Sequence, residues 1–335
     1  AAALAAARAG ARVIVADEQN EPGGSLLASH DNIDDRPARQ WLAESLAELA
    51  ANDRVTMLSR TTVFGYYDGN FLTALERCTD HIGEHQHDRD RQRLWRIRAK
   101  QVVLAQGAFE RPLVFCNNDR PGIMLASAVS TYLRRFAVRP GRNAVVFTNN
   151  DSAYECALDL HRSGCDVAAI IDSRASGGGL AHRAADAGIP VMSSHVVMDV
   201  DGRSAVKGVQ VARWSGNAAA TVKRSISIDC DLLVMSGGFS PAVHLHSQSG
   251  GKNQWCQDRH CFVPGEVTQS CVSAGAGNGQ FHLADCLADG DRAGRDASAR
   301  CGFTAGERKY AVAETCETAA MEPLWRVPAA VCLLY

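Results

Sequence analysis

The chain has 335 residues, 46% hydrophobic and 21% charged, with a formal net charge of −2. That balance is ordinary for a globular protein with a sizeable core, and it gives no reason to expect nucleic acid or an acidic membrane surface as partner. No run approaches the roughly 18 apolar residues of a membrane span, and no basic-then-apolar leader opens the chain; a cytoplasmic protein of two or three domains is expected.

The chain begins AAALAAARAGARVIVADE. This reads as a helix already under way, with Gly10 as its C-cap, then a strand over Val13–Ala16 that ends in Asp17 and Glu18. In a Rossmann βαβ unit an acidic residue ends the second strand, about 20 residues after the glycine-rich turn, and binds the ribose hydroxyls. Counting back from Glu18 puts that turn before Ala1, so the chain is expected to be truncated before its first GxGxxG loop. The plainer alternative is an αβ unit with a solvated strand-end acid. Glu21-Pro22-Gly23-Gly24-Ser25 follows, a weak turn signal that also suits the far side of a dinucleotide.

Arg36 to Ala51 reads as an amphipathic helix with Leu42, Leu46 and Leu49 on one face. Strands are expected over 55–58, 61–66, 71–75 and 94–97, with an Asp-Gly hairpin turn at Asp68-Gly69. His81, His85 and His87 sit in a charged stretch that reads better as a solvated loop than as a metal site, since neighbouring arginines repel a cation. Gln101 to Gly107 is a short apolar run ending in Ala105-Gln106-Gly107. It reads as a buried parallel strand that delivers bare backbone to a nucleotide crevice. The polar, proline-punctuated stretch after it, Glu110 to Asp119, is expected to shape the seam between two Rossmann units.

A second βαβ unit follows. A helix is expected over 127–136, a buried strand over 143–147, a helix from Ser152 through His161, and a strand over 167–171 ending in Asp172. The strand-to-helix turn, Thr148-Asn149-Asn150-Asp151, has no glycine and adds a negative charge where a pyrophosphate would need bare amides. The second nucleotide site is therefore expected to be degenerate or altered. Gly177 to Gly179 opens a helix through Ala187, strands are expected over 189–192, 196–200, 206–213 and 226–229, and 231–235 reads as a buried strand. That last strand ends in Ser236-Gly237-Gly238, mirroring Ala105-Gln106-Gly107. The run Cys271 to Gly279 precedes a helix over 281–287, and its Gly275 and Gly277 could face a phosphate or a ribityl chain. The final PLWRVP segment shows no strong element of its own.

The twelve cysteines form no CxxC pair. They read as reduced, packed thiols rather than a disulfide framework. No GxSxG or HExxH motif is present either, so no catalytic residue and no metal ligand is assigned.

Several segments together closely resemble the α subunit of heterotetrameric sarcosine oxidase: AKQVVLAQGAFERPLVFCNNDRPGIMLASAV, VVFTNNDSAYECALDLHRSG, CVSAGAGNGQFHLADCLADG, FGYYDGNFLTALE, RLWRIRAKQ and PLWRVP. The resemblance runs over essentially the whole chain. It implies an α/β fold of two Rossmann-like dinucleotide-binding domains, the disulfide-reductase-like flavoprotein fold. It implies NAD bound in this region, FMN at the contact with a β subunit, FAD within that β subunit, and tetrahydrofolate in a domain beyond PLWRVP. Partners would be β, γ and δ subunits, and the reaction would take sarcosine to glycine with formaldehyde or methylene-tetrahydrofolate and hydrogen peroxide. The expected cofactor contacts are Asp17, Glu18, Gly23, Gly24, Ser25, Ala105, Gln106, Gly107, Gly275 and Gly277. Gln106, Phe109 and Cys116 depart from the family pattern, which usually has Thr, His and Pro there. Residues 329–335 leave it altogether, as a broken reading frame would.

The expected layout is a first, discontinuous domain of 1–136 with 236–310, a second domain inserted as 137–235, and a tail over 311–335. Two other functions stay open: an α subunit of a related proline or opine dehydrogenase, and a stand-alone NAD(P)H-dependent flavoprotein reductase. The reductase would need a redox dithiol or an intact second glycine-rich turn.

Overall fold

The computed structural model describes residues 1–83, 88–216, 225–304, 306–312 and 319–328. The readings made on His85, His87 and 329–335 fall outside them. Two compact units emerge, one of 1–109 with 240–257 and 261–313, the other of 110–239 with 258–260 and 314–335. The boundaries expected at 136/137 and 235/236 thus move to 109/110 and 239/240. The cause is a strand just beyond the polar stretch: Ile123–Leu125 pairs in parallel with Leu232–Ser236. The helix that follows, Ala126–Phe136, then places Ala126 and Val129 in one core with Val146, Leu160 and Ile170.

In the first unit, the alanine-rich helix Ala2–Arg8 buries Leu4, Ala5 and Ala7. It stops at Gly10, whose φ of 86° lies in the left-handed region where glycine costs nothing. Strand Val13–Ala16 then pairs in parallel with Val55–Leu58. Helix Ala38–Ala50 buries Trp41, Leu42 and Leu49, in one cluster with Leu4, Leu27, Ile33 and Leu287. A second parallel pair joins Val102–Leu104 to Cys271–Ser273. The three antiparallel strands Thr61–Tyr67, Phe71–Arg77 and Gln92–Arg98 form their own layer. Its hairpin turn is held by Asn70, 4% exposed, which accepts the Tyr66 hydroxyl at 2.7 Å and donates to the Ser270 carbonyl at 3.0 Å.

The helix expected over 281–287 runs much further, as Leu283–Arg300. Gly290 and Gly294 look like breakers in the sequence, but they lie where the first helix crosses. A Cβ on Gly294 would overlap the Ala2 carbonyl and sit 2.8 Å from its Cα, and one on Gly290 would lie 3.1 Å from the Ala1 Cβ. The helix accepts two glycines, at about 1 kcal/mol each in propensity, because close backbone packing replaces what they lose.

The second unit is built on a parallel sheet ordered Ile123–Leu125, Leu232–Ser236, Asn143–Thr148, Asp166–Asp172, Val191–Ser193. Along its central strand, Ala144 and Val146 join a core with helix Ser152–Arg162, while Val145 and Phe147 join another with the antiparallel strands His195–Asp201 and Gly208–Arg213. Both faces are covered, which is why these strands read as unbroken apolar runs. The sheet order reverses between Asn143–Thr148 and Leu232–Ser236, so the crevice of this unit opens at their carboxyl ends.

The segment expected as a tail is part of this unit. Leu324 is 7% exposed and Val327 is 2% exposed, and both sit in the core with Leu113, Phe115 and Phe147. Val114 N–H donates to the Trp325 carbonyl at 2.7 Å, and Val327 N–H donates to the Val114 carbonyl at 2.8 Å. Upstream, Val312 makes an antiparallel bridge to Ile33 in the first unit.

Candidate functional site: two nucleotide edges

In the first unit, Asp17 and Glu18 follow one parallel strand pair, and Ala105–Gly107 and Gly275–Gly277 follow the other. Asp17 is partly committed: its carboxylate accepts the Gln19 N–H at 2.8 Å. Glu18 is exposed, and its carboxylate takes no hydrogen bond among the described residues. Its backbone carbonyl accepts from Arg77 at 2.8 Å.

Gly23, Gly24 and Ser25 enter a short 3-10 turn. Gly23 has φ 146° and abuts Leu42 and Leu27, so it serves packing as much as any ligand. Ser25 is exposed.

The second strand pair does bring its residues together. Ala274 N–H donates to the Leu104 carbonyl at 2.9 Å. A Cβ on Gly277 would lie 3.5 Å from the Gly107 backbone, and one on Gly107, at φ 79°, would meet nothing within 4 Å. This leaves a strip of backbone with no side chain over it, the surface a phosphate or ribityl chain requires. Gln106 is turned aside: its side-chain amide donates to the Ala242 carbonyl at 2.5 Å. The glycine turn is shaped by a residue that sequence reasoning missed. Asp289, 9% exposed on helix Leu283–Arg300, accepts the Gly275 N–H at 2.9 Å and the Asn278 side chain at 3.1 Å. The residues present therefore fit a dinucleotide on two counts, a bare glycine strip and an unbonded strand-end carboxylate.

The second unit's edge is different. Asp172, the strand-end acid, is fully buried and accepts the Tyr154 hydroxyl at 2.7 Å and Arg174 at 2.7 and 3.0 Å. Arg174 also reaches Asp151 at 2.7 Å. Burial alone would depress the Arg174 guanidinium, but Asp172 and Asp151 outweigh it and raise its pKa. Burial, with Asp172 beside it, raises the Tyr154 phenol as well. Asn149 is fully buried and donates to the carbonyls of Glu322 and Leu324, both at 2.9 Å. Gly237 and Gly238 do permit a close approach, but of this chain: a Cβ on Gly237 would lie 2.9 Å from the Arg111 carbonyl, and one on Gly238 2.5 Å from the Met321 sulfur. Arg111 stacks on Trp325 at 4.7 Å, so two of the sequence segments that carry the family resemblance pack against each other. The stretch expected to shape a seam, Glu110 to Asp119, lies in this unit, with Leu113 and Phe115 in its core. A cleft of about 600 Å³ lies beside this edge, walled by Arg213, Trp214, Met321 and Glu322 among others.

The ten described cysteines are thiols. Burial pushes Cys156 and Cys230 up to about 12 and Cys286 up to about 11, far from a reactive thiolate. Cys256 and Cys261 stand opposite each other across an antiparallel hairpin. Among the described residues no group of three His, Cys, Asp or Glu could hold a metal, His81 is exposed, and no helix is long and apolar enough to cross a membrane.

The chain is 43% identical over 98% of its length to the sarcosine oxidase subunit alpha of Corynebacterium sp. (strain P-1), and spans 34% of that protein. It is 41% identical over 87% of its length to the subunit of the same name from Rhizobium meliloti (strain 1021), spanning 28% of it. The chain thus spans about a third of the length of these relatives. Among solved structures, L-proline dehydrogenase from P. horikoshii aligns with a TM-score of 0.65 at 21% identity, over 91% of this chain and 54% of the other, a likeness of fold. The family described as "Pyridine nucleotide-disulphide oxidoreductase" matches residues 1–257, and the chain belongs to that family of oxidoreductases.

Proposed function

We propose that this chain is the dinucleotide-binding part of an α subunit of a heterotetrameric, sarcosine-oxidase-type amine oxidase, with its first unit holding NAD. The observation that carries the reading is the 43% identity to a sarcosine oxidase subunit alpha across 98% of the chain. The thiol chemistry is consistent with it, since burial holds Cys156 and Cys230 as neutral thiols.

In this reading Glu18 accepts hydrogen bonds from ribose hydroxyls, and the backbone at Gly107, Gly275 and Gly277 lies against the phosphates or ribose without side chains in the way. Asp289 keeps the glycine turn in place from behind. NAD is a structural group here. Amine oxidation, giving glycine, formaldehyde or methylene-tetrahydrofolate, and peroxide, takes place on flavins held with the β subunit, and γ and δ complete the assembly. This chain supplies no acid, base or nucleophile to that chemistry, and alone it is inactive.

The test uses the full-length parent expressed with its β partner. Peroxide released from sarcosine is expected. Release from proline instead would move the assignment to the related dehydrogenases, and release from neither would sink it. NADH oxidation by the chain alone would restore the stand-alone reductase. In the same parent, Glu18→Ala is expected to lower the NAD retained through purification about tenfold or more, the cost of at least one hydrogen bond to a charged group; unchanged NAD content would remove Glu18 from the site.

A further inference from the structure

The second unit has the architecture of a dinucleotide domain, yet its crevice is filled by the chain itself. We infer that residues 319–327 form a strap that is the resident occupant of this crevice, so that the second unit binds no pyridine nucleotide. The inference stands apart from the reading of the first unit.

Three independent observations converge on the point where the sheet order reverses, the place where a dinucleotide's pyrophosphate would lie. The first concerns donors. A pyrophosphate is held by free N–H groups at the strand-to-helix turn. Here Asn150 N–H donates to the Thr148 hydroxyl at 3.1 Å, Ser152 N–H to the Asn150 side chain at 3.0 Å, and Tyr154 N–H to the Asp151 carbonyl at 3.1 Å. Three of the turn's N–H groups are thus already bonded within it. Across the crevice, Asn150 also donates to the Ser236 carbonyl at 3.1 Å, joining the two strand ends.

The second is charge. Asp151 and Asp172 are both buried and share one guanidinium, that of Arg174. The trio carries a net negative charge, and a dianion placed on it would be repelled.

The third is occupancy. Ala319 N–H donates to the Asp151 carboxylate at 2.7 Å, where a ligand would meet the helix N-terminus. Glu322 N–H donates to the Asn149 carbonyl at 3.1 Å, and Asn149 returns two bonds to the Glu322 and Leu324 carbonyls. Trp325 donates its indole N–H to the Gly237 carbonyl at 3.1 Å. Trp214 donates its own to Glu322 at 2.7 Å. Met321 covers Gly238, and Leu324 and Val327 enter the core. The strap thus occupies the polar groups and the space at this strand-end edge.

Hydrogen exchange on the full-length protein tests this, with and without millimolar NADH or NADPH. The amides of Val114, Glu322 and Val327 are expected to exchange roughly 100-fold or more slowly than an unstructured peptide, and neither nucleotide should change them or those of Asn150 and Ser152. Strap amides that exchange as freely as a peptide, or nucleotide-dependent protection of Asn150 and Ser152, would overturn the inference. Asn149→Ala should speed strap exchange about tenfold while Val146 and Ile170 stay slow; an unaltered strap would show that Asn149 does not hold it. If that variant fails to fold, the wild-type nucleotide experiment decides alone. A change confined to residues 17–25 or 105–107 on adding nucleotide reports on the first unit and leaves the strap untouched.

Discussion

Arg174→Met is the most demanding perturbation of the second unit. The guanidinium is 5% exposed and sits between Asp172, 0% exposed, and Asp151, 9% exposed, both at 2.7 Å. Its Nε makes a further bond to Asp172 at 3.0 Å. Burial limits solvent screening here, so the low values measured for surface pairs do not apply. Removing the cation leaves two buried carboxylates facing each other, with the Tyr154 hydroxyl as the strongest remaining side-chain donor to Asp172. Deleting one partner of a buried pair costs about 3–5 kcal/mol. At a urea dependence of about 2 kcal/mol per molar, the midpoint should fall by roughly 1.5–2.5 M. Trp214 and Trp325 lie in this unit and report its unfolding by fluorescence. The double variant Asp172→Asn/Arg174→Met should lose less than the sum of the single changes, by about 1–3 kcal/mol, because one of the two orphaned charges is gone and only Asp151 remains. A loss below about 1 kcal/mol for Arg174→Met, or simple additivity in the double, would refute the view that this cluster is held by charge.

Two further changes probe other parts of the chain. Gly294→Ala should destabilise the first unit by about 1–3 kcal/mol through overpacking against Ala2, whereas Gly290→Ala, with its nearest neighbour at 3.1 Å, should cost less; equal thermal midpoints for both would argue against the close crossing. Glu110 is half-buried with its carboxylate accepting the Ser127 N–H at 2.8 Å, and desolvation raises its pKa against the opposing bonds to Ser127 and Ser236. The folded state therefore holds this proton more tightly than the unfolded chain, so the stability it contributes is complete below the unfolded value of about 4.3 and lost as pH rises through the folded value. Glu110→Gln should be more stable than wild type at neutral pH and converge with it in acid; a constant difference across the urea midpoints would remove Glu110 as the titrating group.

How legible these features are in the sequence depends on how local their causes are. Asn143–Thr148 and Asp166–Asp172 are readable because a parallel strand covered on both faces must be apolar throughout. The hairpin at Asp68-Gly69 is readable because its turn demands left-handed backbone, found at Gly69 with φ 68° and Asn70 with φ 51°. Ile123–Leu125 escapes because three residues carry no period, and a proline-rich approach looks like loop. The length of Leu283–Arg300 escapes because Gly290 and Gly294 are breakers by propensity and are accepted only for a crossing nearly 290 positions away in the chain. The strap is harder still. Leu324 and Val327 are the only local hints, spaced as one apolar contact and the next, and what they cover lies about 175 residues earlier.

The two strand ends that look alike in sequence show where local reading stops. Ala105-Gln106-Gly107 and Ser236-Gly237-Gly238 both bring bare backbone to a crevice. At Gly107 a Cβ would meet nothing within 4 Å, while at Gly238 it would meet Met321. The strand-end acids divide in the same way: Glu18 is exposed and its carboxylate takes no hydrogen bond among the described residues, and Asp172 is buried beneath Tyr154 and Arg174. A glycine states only that something comes close to the backbone. In the first unit that space suits a ligand, and in the second it is taken by a peptide whose Asn149 contacts reproduce a nucleotide's demand for hydrogen bonds. A scaffold used twice can thus keep one edge for cofactor and spend the other on its own architecture, and the difference lies in whether the strand-end acid is left to a ligand or bonded to its own neighbours.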